Sequence, residues 1–180
     1  MRAEWVEPDV FELLLTAMMP ENRLALQVSL ATGLRIGDVL ALRTDKMKRR
    51  QTVREQKTGK SRRVYWPKEL YDSMMAQAGR VFVFEGRLSI YKSRTRDAVY
   101  KDLRRVARLY RVDGRAVGVH LSPHSARKLY AVQAYKRSGS LPYVKELLNH
   151  DDEAVTVLYA MADQLTAAQH RGRKKKKKAG

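Results

Sequence analysis

Five short elements carry side chains suited to chemistry, and they fall in one order along the 180 residues. Arg35 lies in Thr32-Gly33-Leu34-Arg35-Ile36-Gly37-Asp38, and Lys57 precedes Thr58-Gly59. His124 and Arg127 form a His-x-x-Arg pair, His150 follows Leu147-Leu148-Asn149, and Tyr159 comes nine residues later. An arginine fork donates two parallel hydrogen bonds to a phosphate or carboxylate and keeps its charge at any working pH. Imidazole titrates near neutrality, and a tyrosine hydroxyl can serve as a nucleophile. Taken singly, each has an ordinary structural explanation: a helix cap beside a surface arginine, a turn lysine, a structural histidine, a packing tyrosine.

Together they resemble the signature of the tyrosine recombinases, the phage integrase family. There an arginine lies in a Thr-Gly-Leu-Arg box and a lysine in a β-hairpin. A His-x-x-Arg pair follows, then a Leu-x-His box with the nucleophilic tyrosine nine residues beyond. Leu148-Asn149-His150 stands where the family commonly has Leu-Gly-His, which leaves the histidine in place. The resemblance spans roughly residues 10–165. It implies site-specific DNA cleavage and rejoining through a covalent phosphotyrosine at Tyr159, with Arg35, Lys57, His124, Arg127 and His150 as the other catalytic residues.

Those residue types suit the chemistry. Attack of a tyrosine oxygen on a phosphodiester places extra negative charge on the non-bridging oxygens of a five-coordinate phosphorane. Arg35 and Arg127 can clamp one such phosphate, and loss of either should raise the barrier by ~2.7–4 kcal/mol. His150 would add a donor, and His124 is suited to moving the tyrosine proton. By resemblance Lys57 protonates the leaving sugar oxygen, with Lys60, three residues on, as the competing candidate. Asp38, one helical turn after Arg35, is either an orienting partner of Arg35 or a histidine, or an ordinary surface carboxylate. The phosphotyrosine conserves the bond energy, so no ATP is required. No metal site or other cofactor is expected, since His124 and His150 lack acidic or cysteine partners at ligand spacing.

Behind these residues the chain reads as a mainly helical α+β domain with a small antiparallel sheet. Pro8-Asp9 and Pro20-Glu21 look like helix starts, and Thr32-Gly33 punctuates the second, with Gly33 as a left-handed C-cap. Ile36 to Leu42 reads as a third, short helix. Residues 51–57 and 62–66 form a hairpin across Thr58-Gly59-Lys60-Ser61. A helix follows from Pro67 to about Ala78, and residues 80–84 are a candidate third strand. Residues 93–110 return to helical spacing, with Val99, Leu103, Val106 and Leu109 on one face. Further helices are expected at 125–137, 142–148 and 152–159.

The charge balance points the same way. Lys and Arg number 37 against 19 acids, a formal net charge of +18. Seven of the positive charges sit in the last ten residues, so +11 remains on residues 1–170. A polyanion, double-stranded DNA, is the natural partner. DNA-facing candidates are Lys60, Arg94, Arg96, Lys101, Arg104, Arg105 and Arg108, and the tail lysines Lys174, Lys175, Lys176, Lys177 and Lys178. Without cysteine, a signal-peptide-like start or a run of membrane-spanning length, a cytoplasmic protein is expected, with no membrane partner.

The expected organisation is a catalytic domain over residues 1–168 and a basic tail over 169–180. By resemblance, residues 160–168 form a docking segment, which implies a homotetramer on DNA, a monomer or weak oligomer when free, and accessory DNA-bending proteins. It also implies a bacterial, archaeal or phage origin and a place on the nucleoid. Most members carry an N-terminal core-binding domain, whereas here the Arg35 box arrives after about thirty residues. Either an excised catalytic fragment or a single-domain member, such as the fimbrial inversion recombinases, fits that start. The rival activities are a type IB topoisomerase, which shares the fold, and a non-catalytic DNA-binding module.

Overall fold

A computed structural model describes residues 8–112, 115–116 and 121–148. It divides at Tyr130 into two compact units. In the first, α1 (Pro8–Thr16), α2 (Pro20–Thr32) and α3 (Ile36–Leu40) lead into a hairpin of β1 (Arg50–Arg54) and β2 (Ser61–Tyr65). Then come α4 (Lys68–Ala76), the short pair β3 (Glu85–Gly86) and β4 (Ser89–Ser93), and α5 (Arg96–Leu109). Another short pair, β5 (Arg111–Val112) and β6 (Arg115–Ala116), precedes α6 (His124–Ser138), which crosses the division. All three strand pairs are antiparallel and separate from one another. The architecture is the expected mainly helical α+β fold.

Helix α5 shows how local signals and packing agree. Thr95 Oγ1 caps its start by accepting from Ala98 N at 3.1 Å, Asp97 lies in the first turn and Arg108 in the last. Its apolar stripe of Val99, Leu103 and Val106 is fully buried and joins a core with Phe11, Leu14, Leu26, Val39 and Trp66. Expected at the same stripe, Leu109 is instead exposed at the helix end.

Asp102 ties the helices to one another. It accepts from Met19 N and Asn22 Nδ2, both at 2.9 Å, and from Arg105 Nη2 at 2.7 Å. Burial works against its charge, but these donors prevail and hold its carboxyl below the usual range. Met19 precedes α2 with no side-chain cap of its own. Asp102 thus satisfies an otherwise orphaned helix-start amide from another element.

In the hairpin, Arg50 pairs with Tyr65 and Arg54 with Ser61. Side chains alternate, so Val53, Val64 and then Trp66 are buried while Arg50, Arg54, Arg63 and Tyr65 face out. The candidate strand at 80–84 is a single bridge, Arg43 to Phe82, with Val83 N on Leu42 O. Its partner segment coils into a short 3₁₀ turn at Thr44–Lys46, so no ladder extends. Pairing falls instead to Glu85–Gly86, against Ser89–Ser93.

In the second unit, Gly139 (φ 65°) closes α6, and Ser140 Oγ caps α7 (Leu141–Leu147) by accepting from Tyr143 N at 3.3 Å. The expected helix at 152–159 and the segment 160–180 lie outside the described residues. Among the described residues no helix is long and apolar enough to cross a membrane.

Candidate active site

Arg35 sits in the turn between α2 and α3, and that turn is built by its own sequence. Gly33 adopts φ 68°, a left-handed C-cap whose N–H donates to Ser29 O at 2.7 Å. Ser29 Oγ donates to Leu34 O at 2.7 Å, and Thr32 Oγ1 accepts from Leu34 N at 3.3 Å. Leu34 is fully buried, which anchors the turn and places Arg35 just ahead of α3 in extended backbone. Gly33 is required twice over: besides its positive φ, a Cβ there would lie 2.4 Å from the ring of Tyr130.

Two arginines from later elements reach this turn. Arg127 of α6, 2% exposed, donates through Nη1 to Gly33 O. Arg62 of β2 donates through Nη2 to Thr32 O at 2.8 Å. Both meet carbonyls at the C-terminus of α2, where the helix dipole is negative and cations are favoured. Burial pushes the Arg62 pKa down, while the charges of Glu55 and Asp38 push it up. The start of α6 is held by Ser125 N on Ser122 O at 2.8 Å and Ser122 N on Ser125 Oγ at 3.4 Å. His124 opens that helix, exposed, three residues before Arg127 and so on the same face.

Glu55, which the sequence reading did not single out, is the carboxylate on Arg35. It is fully buried and forms an ion pair with Arg35 Nη1. Asp38, also buried, accepts from the backbone N–H of Gln56 through Oδ1 at 2.8 Å. Its other oxygen, Oδ2, is buried without a hydrogen-bond partner among the described residues. Burial raises the Asp38 pKa against the Gln56 bond; the Glu55 charge raises it further, while Arg35 and Arg127 oppose.

Lys57 and Lys60 both lie exposed in the connection between β1 and β2. Glu55 N donates to Lys60 O and Gly59 N to Glu55 O, each at 2.9 Å, with Gly59 at φ 66°. Thr58 Oγ1 donates to Glu55 Oε2 at 3.3 Å. The site is thus a chain of contacts joining Arg35, Asp38, the lysine loop and Arg127. His150, Tyr159 and Lys174 to Lys178 lie outside the described residues.

The DNA-facing candidates around α5 are unevenly committed. Arg94 donates to Asn22 Oδ1 at 3.1 Å and is largely buried. Lys101 pairs with Asp97 at 2.8 Å, Arg105 with Asp102, and Arg104 packs over the ring of Tyr100. Lys101, Arg104 and Arg108 line a shallow groove with Tyr100 and Leu109. Arg96 lays its stem 3.4 Å from the Cβ position of Gly37 in α3.

Comparison with solved structures finds the same fold. The XerH site-specific recombinase bound to palindromic difH substrate in a post-cleavage complex matches with TM-score 0.67 at 16% identity, over 95% of this chain and 53% of that one. A lambda integrase dimer bound to a COC' core site matches with TM-score 0.69 at 18% identity, over 87% and 47%. The Tn1549 transposon integrase in complex with a circular intermediate DNA matches with TM-score 0.67 at 15% identity, over 88% and 62%. All three are tyrosine recombinases. The chain spans about half the length of XerH and of lambda integrase. No curated sequence matches it. The family model described as "Phage integrase family" matches residues 4–165, and the chain belongs to that family.

Proposed function

We propose that this chain is the catalytic domain of a site-specific DNA recombinase that cuts and rejoins strands through a 3′-phosphotyrosine at Tyr159. One observation carries the reading. Arg35 and Arg127, far apart in sequence, meet at one turn, because Arg127 binds the carbonyl of Gly33 two residues before Arg35. The contacts of each guanidinium fix the plane of its fork, and a planar fork matches the oxygens of a phosphate.

In the cleavage step the Tyr159 oxygen bonds to phosphorus and the bond to the 5′ oxygen breaks. Lys57 gives that oxygen its proton, and His124 takes part in moving the tyrosine proton. Arg35, Arg127 and His150 stabilise the charge on the non-bridging oxygens. Rejoining runs the same step backward and uses neither metal nor ATP. Lys57 is favoured over Lys60 because the carboxylate contacts of Asp38 and Glu55 fall on Gln56 and Thr58, its two neighbours. Double-stranded DNA is the partner, with a homotetramer as the active assembly. The lambda integrase tetramer bound to a Holliday junction has this fold, at TM-score 0.65 and 18% identity.

The test uses a nicked DNA substrate from which the cleaved end cannot be religated. The expected result is a denaturant-resistant protein–DNA adduct that disappears in Tyr159→Phe. DNA binding without an adduct would leave a non-catalytic binding module. An adduct accompanied by relaxation of any plasmid, with no preferred site, would indicate a topoisomerase instead.

A further inference from the structure

Glu55 has no part in the cleavage step, yet it is a fully buried carboxylate inside the site. Among its side-chain contacts are groups from different parts of the chain: the guanidinium of Arg35, ahead of α3, and the hydroxyl of Thr58, in the lysine loop. Its backbone closes the same loop, with N–H on Lys60 O and C=O on Gly59 N–H. Asp38, three residues after Arg35, holds the next loop amide, Gln56 N. The residues on both sides of Lys57 are therefore fastened to the segment that carries Arg35, Gln56 through Asp38 and Thr58 through Glu55.

We infer that Glu55 is a positioning residue that couples Arg35 to the Lys57 loop, so that the phosphate clamp and the proton donor are set by one buried ion pair. This rests on the proposed strand-cleavage function. The ion pair fixes the buried carboxylate, because the low-dielectric interior penalises an unpaired charge, and the fixed carboxylate in turn offers the Thr58 hydroxyl an acceptor at one place. A surface loop with an exposed lysine is otherwise free to vary its conformation. The coupling limits that freedom where the lysine must meet a leaving oxygen within hydrogen-bond reach.

The test compares Glu55→Gln with the wild type on two nicked substrates, one with oxygen and one with sulfur at the scissile 5′ position. A sulfur leaving group departs as a thiolate without a proton donor, so its cleavage bypasses Lys57, and Lys57→Ala provides the reference pattern. Glu55→Gln is expected to slow adduct formation on the oxygen substrate about 100-fold, the scale of a catalytic group misplaced by an ångström. On the sulfur substrate, where only the weakened hold on Arg35 remains, its slowing is expected to be at least about tenfold smaller than on oxygen. Equal slowing on both substrates would mean that Glu55 serves Arg35 alone and would overturn the coupling, as would an unchanged rate on both. A wild type that forms no adduct on either substrate overturns the function reading itself, and this inference with it.

Trypsin cleavage after Lys57 and Lys60 in DNA-free protein gives a measurement independent of catalysis. Glu55→Gln is expected to be nicked faster in this loop relative to its other tryptic sites, and equal relative nicking would count against the coupling. Should Glu55→Gln not fold, Thr58→Val carries the test, since it leaves the buried ion pair intact. The same oxygen-selective loss supports the coupling, and wild-type rates on both substrates overturn it.

Discussion

Around Arg35, burial decides what each charged residue can do. Glu55 is ion-paired, whereas Asp38 has one oxygen on Gln56 N and the other buried without a partner among the described residues. Burial, helped by the charge of Glu55, raises the Asp38 pKa above the ordinary aspartate range. A carboxyl whose folded pKa is raised weakens the fold wherever it is ionised, and the penalty vanishes below the unfolded pKa. Asp38→Asn keeps the acceptor for Gln56 N and removes that charge. It should therefore raise the melting temperature at neutral pH, by roughly 2–4 °C for each kcal/mol gained. The gain should fade as pH drops toward the ordinary aspartate range. Thermal melts from pH 4 to 8 check this, and a variant less stable than wild type at pH 7 would refute it. Asp38 is then a charge kept for the arginines it faces, at the expense of stability.

At the scale of elements, the turn between α2 and α3 receives the most constraints. Its Gly33 combines a positive φ with the Tyr130 ring, whereas Gly139 has a similar φ of 65° and nothing within 4 Å of its Cβ position. The two glycines separate backbone strain from crowding. Gly139→Ala should cost about 1–2 kcal/mol, the left-handed penalty alone. Gly33→Ala should cost at least about 1 kcal/mol more, the lower end of the overpacking range, because Tyr130 must move. It should also lower strand cleavage by shifting Arg35. Chemical denaturation of both variants tests the difference, and equal losses would show that Tyr130 yields freely. The hairpin obeys a simpler rule. Its inward positions are Gln51, Val53 and Glu55 on one side and Arg62, Val64 and Trp66 on the other, so both missed site residues occupy core-facing positions. A charged residue at the inward parity of a strand is the signal that could have found them.

For the whole molecule, a net charge of +18 makes affinity for DNA, the proposed partner, an electrostatic quantity. A complex with six or more phosphate contacts should weaken about 10³-fold or more between roughly 50 and 200 mM salt. Removing residues 169–180, with seven of the positive charges, should flatten that dependence while leaving adduct formation intact. Binding titrations across salt concentrations check both, and a salt-independent affinity would rule out a phosphate-dominated interface.

Sequence alone determined the family, the helical character and the positions of Arg35, Lys57, His124 and Arg127, because these depend on local caps, turns and motif spacing. The Gly33 cap and the end of α5 were legible for the same reason, since helix ends are set by neighbouring residues, whereas the start expected at 93 falls at Arg96 because Ser89–Ser93 pair as β4. What the tertiary structure decided is which groups meet. That Arg127 and Arg62 cap successive carbonyls of α2, that Glu55 rather than a nearer acid pairs with Arg35, and that Asp38 holds the lysine loop are all contacts across 18 to 94 residues. Those contacts follow from how the elements pack, and side-chain spacing along the chain does not encode them. The strand expected at 80–84 failed for that reason too: a strand forms only where a partner offers a ladder, and here the partner coils away after one bridge.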